Sequence, residues 1–191
     1  MEDILKYFIQ DFRSETPKSF RKIWDLYTDT ETVLVAATDT GAASMAWIFY
    51  YLTTHPEIRR KLLNELKPAF GKTVAGEFTD SDLAQVEYLN AVINETLRIK
   101  PVAGVSSPRL TPPEGIVVDG VHIPGHVQTY VPPWVLCTSE KFFVRPDEFI
   151  PERWTTKPEL VIDKRAFIPF SAGRCSPLRN FQKLMLLLTL V

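Results

Sequence analysis

Asn94-Glu95-Thr96-Leu97-Arg98-Ile99-Lys100-Pro101 is where the chain changes its grammar. Before Pro101 only Pro17, Pro56 and Pro68 interrupt it; the other twelve of its 15 prolines lie between Pro101 and Pro177. Proline fixes φ and removes an amide donor. The first part can therefore be helical, while the second must be mostly loop, turn and short strand. Working back from Pro101, Val86, Leu89, Val92, Ile93 and Leu97 recur at helical spacing, and Thr79-Asp80-Ser81-Asp82 supplies caps for that segment. GKTVAGEF (71–78) reads as a loop. PEIRRKLLNELKPAF (56–70) reads as a helix opened by Pro56, with Ile58, Leu62, Leu63 and Leu66 on its apolar face. From Thr16 to Thr54 the pattern predicts one long helix, about 55 Å at 1.5 Å per residue, with Thr16 as N-cap and Pro17 at the first helical position.

Working forward, GIVVDGVHIPG (115–125) carries alternating apolar residues around Asp119-Gly120, the dipeptide favoured by type I′ hairpin turns. VQTYV (127–131) is a further short strand. Residues 141–170 form a meander of aromatics, charges and prolines. In the tail, Phe181, Leu184, Met185 and Leu188 return to helical spacing. The fold class expected is mainly α, with small β hairpins and a proline-rich meander.

The 191 residues suit one domain, and 45% hydrophobic with 24% charged residues is ordinary for a globular chain. With 22 basic and 23 acidic residues the net charge is −1, which excludes a general polyanion-binding surface, and no nucleic-acid partner is expected. Cys137 and Cys175 make no disulfide framework, and His55, His122 and His126 lack metal-site spacing. A reducing compartment is the default. MEDILKYFIQDFRSE has no apolar signal core, and outside 32–53 the one dense apolar run, LMLLLTLV, is too short to span a bilayer.

Five stretches hold candidate chemistry. On the long helix, Ala36, Ala37, Thr40, Gly41 and Ser44 form a stripe of small side chains, with Asp39 beside it. Such a stripe lets something flat lie against the backbone; a close helix contact, with Thr40 bonding back to its i−4 carbonyl, fits it equally. Glu95 and Arg98, three apart, face each other on a helix, a spacing that by itself describes any surface pair. Arg109 lies in PRLTPPEG, where a solvated loop arginine is the ordinary meaning. In FIPERW (149–154), Arg153 is suited to bidentate pairing and ring stacking; were it to meet Glu95, the trio Glu95, Arg98 and Arg153 would staple the meander to the third helix. Finally, in FIPFSAGRCSP (167–177) a cysteine beside an arginine, Cys175 next to Arg174, is expected to have a lowered thiol pKa, and Ser176-Pro177 would cap a last helix just behind it. A thiolate there is a soft ligand suited to iron.

In this order the motifs AATDT, ETLR, PERW and FSAGRC resemble the C-terminal half of a cytochrome P-450, a haem-thiolate monooxygenase. INETLR, VRPDEFIPERW and FIPFSAGR are similar to fungal microsomal members acting on secondary metabolites. The resemblance implies Cys175 as the axial thiolate on the iron of haem b, and Asp39 and Thr40 as the groups delivering protons to dioxygen. It places Ala36 and Ala37 along the haem face, Arg109 and Arg174 at the propionates, Phe170 over the cysteine, and Glu95, Arg98 and Arg153 in a structural network behind it. It further implies a small apolar substrate, electrons from NADPH through a reductase, and a place on the endoplasmic reticulum membrane.

Measured against the family pattern, the chain is expected to be a single incomplete domain: a helical part over 1–100, hairpin and meander over 101–170, and cysteine loop with last helix over 171–191. The N-terminal half and its membrane anchor are missing from this expectation, which leaves the fragment cytoplasmic unless anchored otherwise. The cysteine loop departs from F-x-x-G-x-R-x-C-x-G: Phe170 to Cys175 is five positions rather than seven, and Pro177 stands where glycine is usual. A second reading follows, in which the chain is a catalytically inactive family member with a defective haem site, acting only as an interaction module.

Overall fold

A computed structural model describes residues 4–19, 22–70, 83, 85–105 and 107–172. The loop at 71–78, the caps at 79–82, the terminal helix, Arg174 and Cys175 expected from the sequence lie outside the described residues. The chain divides into two compact units, Met1–Ala42 and Ala43–Val191.

In the first unit, α1 (Ile4–Phe12) precedes α2 (Ile23–Thr54), whose 32 residues cross the boundary between units. The expected start of α2 at Thr16 is wrong by about two turns. Asp11 explains why: its carboxylate accepts the amides of Lys18 (3.0 Å) and Ser19 (2.9 Å), while Thr16 N donates to Ser14 Oγ. These side-chain acceptors compete for the amides a helix would need and hold the segment as a turn. Further on, Asp25 Oδ2 accepts the Lys22 amide at 3.0 Å, the reciprocal half of a capping box, and the helix starts there. By length and composition α2 could also cross a bilayer, a test that core helices pass as well.

In the second unit, α2 ends at Thr54, where the Thr53 and Thr54 hydroxyls both donate to Tyr50 O. Pro56 then opens α3 (Pro56–Phe70), over the range its periodicity predicts. Ile58, Leu62 and Leu66 are buried, but Leu63 is half exposed at 49% and faces away from the core. Next comes α4 (Glu87–Ile99), with ten of its 13 residues buried. A helix buried nearly all round is a central element, not a surface one. Its core partners include Ile48 and Tyr51 of α2, the buried face of α3, Leu83 and Phe149. Tyr51 and Phe149 stack with ring centroids 4.1 Å apart and planes 2° from parallel.

After Pro101 the chain makes two small antiparallel pairs. β1 (Arg109–Leu110) pairs with β4 (Gln128–Thr129), and between them β2 (Ile116–Val118) pairs with β3 (Val121–Ile123). Asp119 (φ 49°) and Gly120 (φ 79°) both lie in the left-handed region, as the type I′ turn demands. The buried Thr111 clasps the base of this arm: its hydroxyl donates to Pro124 O (2.7 Å) and accepts the Val127 amide (2.9 Å). A one-and-a-half-turn α5 (Pro133–Cys137) follows. The meander then contains 3-10 turns at Pro151–Trp154, Pro158–Leu160 and Lys164–Ala166, crossed by a bridge between Phe143 and Val161.

Candidate functional site

Glu95 and Arg98 are both completely buried on α4, and so is nearly all of Arg153 in the 3-10 turn Pro151–Trp154. Isolated charges at such depth would be expensive. The structure instead brings the three together, around one carboxylate. Arg98 grips Glu95 with two prongs, Nε to Oε2 (2.9 Å) and Nη2 to Oε1 (3.0 Å). Arg153 Nε donates to Oε1 (2.9 Å), the Trp154 indole N–H to Oε2 (2.9 Å), and the Ile150 amide to Oε1 (3.0 Å). The two guanidiniums exceed the single carboxylate by one charge. Backbone carbonyl dipoles meet that excess: Arg98 donates to Cys137 O and Glu148 O, and Arg153 to Val144 O, Leu160 O and Arg145 O. Burial pulls the Arg153 guanidinium below its ordinary pKa, against the opposing pull of Glu95; it stays charged, as arginine does in proteins. Among the described residues, no buried side-chain nitrogen or oxygen lacks a partner.

The bidentate grip belongs to Arg98, not to Arg153, whose remaining donors go to three carbonyls that the meander brings around it from either side of its turn. Trp154 acts as a hydrogen-bond donor as well as a ring. Its partner was foreseeable in kind, since a buried indole N–H needs an acceptor, but the sequence does not name Glu95 as that acceptor. Beside this buried centre lies a half-exposed one. Glu152 Oε1 accepts from Lys61 Nζ (2.9 Å) and Tyr88 OH (2.8 Å), and the Lys61 ammonium sits 3.9 Å from the centre of the Tyr88 ring. Burial raises the Glu152 pKa, but the bonds from Lys61 and Tyr88 together outweigh it, and the net shift is downward. Burial, then the Glu152 bond, pushes the Tyr88 phenol well above its usual range. Nothing in the periodicity of α3 or α4 singles out Lys61 or Tyr88 for this cluster.

The other sequence candidates are not gathered here. Asp39, Ala36 and Ala37 belong to the first unit and are exposed; Thr40 is half-buried, with its hydroxyl donating to Ala36 O at 2.6 Å. Arg109 is exposed on β1 and donates to Ser107 O and Pro108 O, both within two residues. Phe170 is half-buried and packs against the core cluster. Ser171, which follows it, has a left-handed backbone (φ 63°).

The cytochrome P450 family model matches residues 2–176. The chain belongs to the cytochrome P450 family. A cytochrome P450 monooxygenase of Phaeosphaeria nodorum, sthD, is 39% identical over 79% of this chain and 31% of its own length. Another, notG' of Aspergillus versicolor, is 38% identical over 84% of this chain and 29% of its own. The tryprostatin B 6-hydroxylase of Aspergillus fumigatus is 41% identical over 78% of this chain and 26% of its own. The chain thus spans about a third or less of the length of these P450 relatives.

Membership implies a haem cofactor and dioxygen. The described residues do not by themselves fit a haem. They contain no cluster of metal-ligating side chains. Their cysteine, Cys137, is buried; burial raises its thiol pKa, and its Sγ donates to Ala166 O at 3.5 Å. A neutral thiol engaged in this way is a packing group rather than an axial ligand.

Proposed function

We propose that this chain is the part of a haem-thiolate monooxygenase whose Cys175 would hold the haem iron, and that the protein hydroxylates a small apolar, secondary-metabolite-type substrate with dioxygen and electrons from an NADPH-dependent reductase. The observation that carries the reading is the buried centre around Glu95. It ties α4 to the turn that begins the final approach to Phe170 and Cys175 (residues 155–170), and it assembles side chains from the ETLR and PERW motifs in one place. Curated relatives from fungi that are named as monooxygenases, one of them a tryprostatin B 6-hydroxylase, support the reaction class. In this reading residues 1–191 belong to one family domain, and the protein works at the endoplasmic reticulum.

The haem, when bound, supplies the dioxygen chemistry. What the chain's own residues do is more limited. Cys175, beside Arg174, would be the thiolate donor, and Arg174 and Arg109 would be cations for the propionates. The Arg109 guanidinium would first have to leave the two neighbouring carbonyls it now serves. Ala36 and Ala37 leave backbone accessible, and Phe170 would shield the sulfur. At Thr40 the hydroxyl hydrogen points at Ala36 O, so passing a proton through Oγ1 requires that bond to turn away first; Asp39, exposed one residue earlier, would exchange the proton with water.

The short spacing from Phe170 to Cys175, with Pro177 after it, favours a second reading: a family member whose haem site is defective. One experiment separates the two. The purified chain is supplied with haem, reduced and exposed to carbon monoxide, alongside Cys175→Ser. An absorption band at the position of thiolate-ligated haem, lost in Cys175→Ser, supports the monooxygenase. Absence of haem uptake, or equal uptake by both proteins, overturns it.

A further inference from the structure

Three consecutive side chains of the turn Pro151–Trp154 are tied to α4. Arg153 and Trp154 reach Glu95 in the buried centre, and Glu152 reaches Tyr88 outside it. Tyr88 and Glu95 lie on one face of α4, two turns or about 10 Å apart along its axis. The turn is thus held at two points along the helix. One point of attachment would leave it free to pivot; two fix both its position and its rotation. Lys61 brings α3 to the outer point through the same Glu152 oxygen that Tyr88 uses. From the inner point, the Trp154 ring continues to Phe167 at a centroid distance of 4.5 Å, in the segment that runs to Phe170.

We propose that Lys61, Tyr88 and Glu152 form an outer latch that positions the Pro151–Trp154 turn, so that Arg153 and Trp154 meet Glu95 in register and Trp154 in turn seats Phe167. These are positioning residues: none of them bonds to the Glu95 carboxylate itself. The inference stands on the contacts among described residues and goes beyond the proposed function, since it holds whether or not the chain takes up haem.

The reporter is the Trp154 indole N–H, the proton donated to Glu95, observed by NMR as its exchange rate with solvent in the full chain and assigned by its loss in Trp154→Phe. Tyr88→Phe removes one hydroxyl bonded to a charged oxygen, and should speed this exchange about tenfold or more. Lys61→Met keeps the stem and removes a partly exposed charge; the expected increase is about threefold. Glu152→Gln keeps an acceptor oxygen within reach of Tyr88 and should accelerate exchange less than Glu152→Ala does. Thr111→Val, which removes the hydroxyl clasping the hairpin arm, is the control for general destabilisation and should leave the Trp154 signal alone. Trp154 exchange that is unchanged in Tyr88→Phe, or equally fast in Thr111→Val, overturns the latch.

Discussion

Replacing Glu95 by glutamine is nearly isosteric and tests whether the buried centre acts as a staple. The carboxylate accepts five hydrogen bonds, three of them from two buried guanidiniums. Glutamine has one acceptor oxygen, and its amide nitrogen would point donors at the donors of Arg98 and Trp154, or of Arg98, Arg153 and Ile150. The two arginines would also lose the carboxylate that pairs with both among the described residues, leaving two positive charges in a site shielded from water. Removing one partner of a buried pair costs about 3–5 kcal/mol, and here a single change breaks two pairs, so about 5 kcal/mol is expected. That is comparable with the whole stability of many domains. With a urea dependence of about 2 kcal/mol per M, the midpoint of a circular-dichroism melt should fall by about 2 M or more. A fall of less than about 0.5 M would refute the reasoning. The triple change Glu95→Leu, Arg98→Met and Arg153→Met extends the test. Buried ion clusters elsewhere can be exchanged for apolar side chains with little loss. Here such an exchange strips the arginine donors from five carbonyls; those of Arg145 and Leu160 keep the Glu148 and Val144 amides, and those of Cys137, Val144 and Glu148 are left as orphans. At about 1 kcal/mol or more for each of these orphans, the triple variant should recover only part of the stability lost in Glu95→Gln; recovery to the original midpoint would show that the carbonyls do not depend on the arginines.

Four further outcomes follow from individual residues. The folded pKa of Glu152 is lowered, so its contribution is complete above its ordinary value of 4.5 and is lost as pH falls through the lower folded value. The urea midpoint should drop in that acid range, and the drop should shrink in Glu152→Gln. Tyr88 has the opposite sign: its pKa is raised, so its contribution is complete below 10.0 and declines as pH climbs above it, a decline that Tyr88→Phe should remove. In a Cys175→Ser background, Cys137 should resist a thiol-specific reagent near neutral pH and react once urea unfolds the chain, because burial keeps it a neutral thiol; fast labelling of the folded chain would contradict this. Gly120→Ala puts a Cβ on a residue at φ 79° and should lower stability by about 1 kcal/mol in the same melts, without altering the Trp154 signal.

The parts legible in the sequence are those whose cause is local. Pro56 and the spacing of Ile58, Leu62 and Leu66 define α3 from within. Asp119-Gly120 defines a hairpin because few other dipeptides take two left-handed residues in a row. The start of α2 is not legible in this way: Thr16-Pro17 has all the local marks of a helix start, whereas Asp11, five residues earlier, takes the following amides. Leu63 satisfies the apolar spacing of α3 and still faces outward, since the neighbours that would cover it are set by packing rather than by period.

The buried centre shows the same division within one site. E-x-x-R places Glu95 and Arg98 on one face of a helix, but only the fold decides whether that face looks at water or into the core. Arg153 is 58 residues from Glu95, and no local rule joins them. The join depends on chemistry that the residue types allow without specifying. A carboxylate with two oxygens can take five donors, so one Glu can organise two arginines, an indole and an amide. A guanidinium with five N–H groups can finish what remains on carbonyls, which any loop can supply if it curls tightly enough. The prolines after Pro101 follow from this requirement. Pro151 and Pro158 each open a 3-10 turn, the first carrying Arg153 and the second ending at Leu160, whose carbonyl accepts from Arg153 as well as from the Val144 amide; the carbonyls of 144 and 145 come from the preceding loop. The proline-rich half is therefore irregular for a reason: its backbone carbonyls solvate the buried guanidiniums of Arg98 and Arg153.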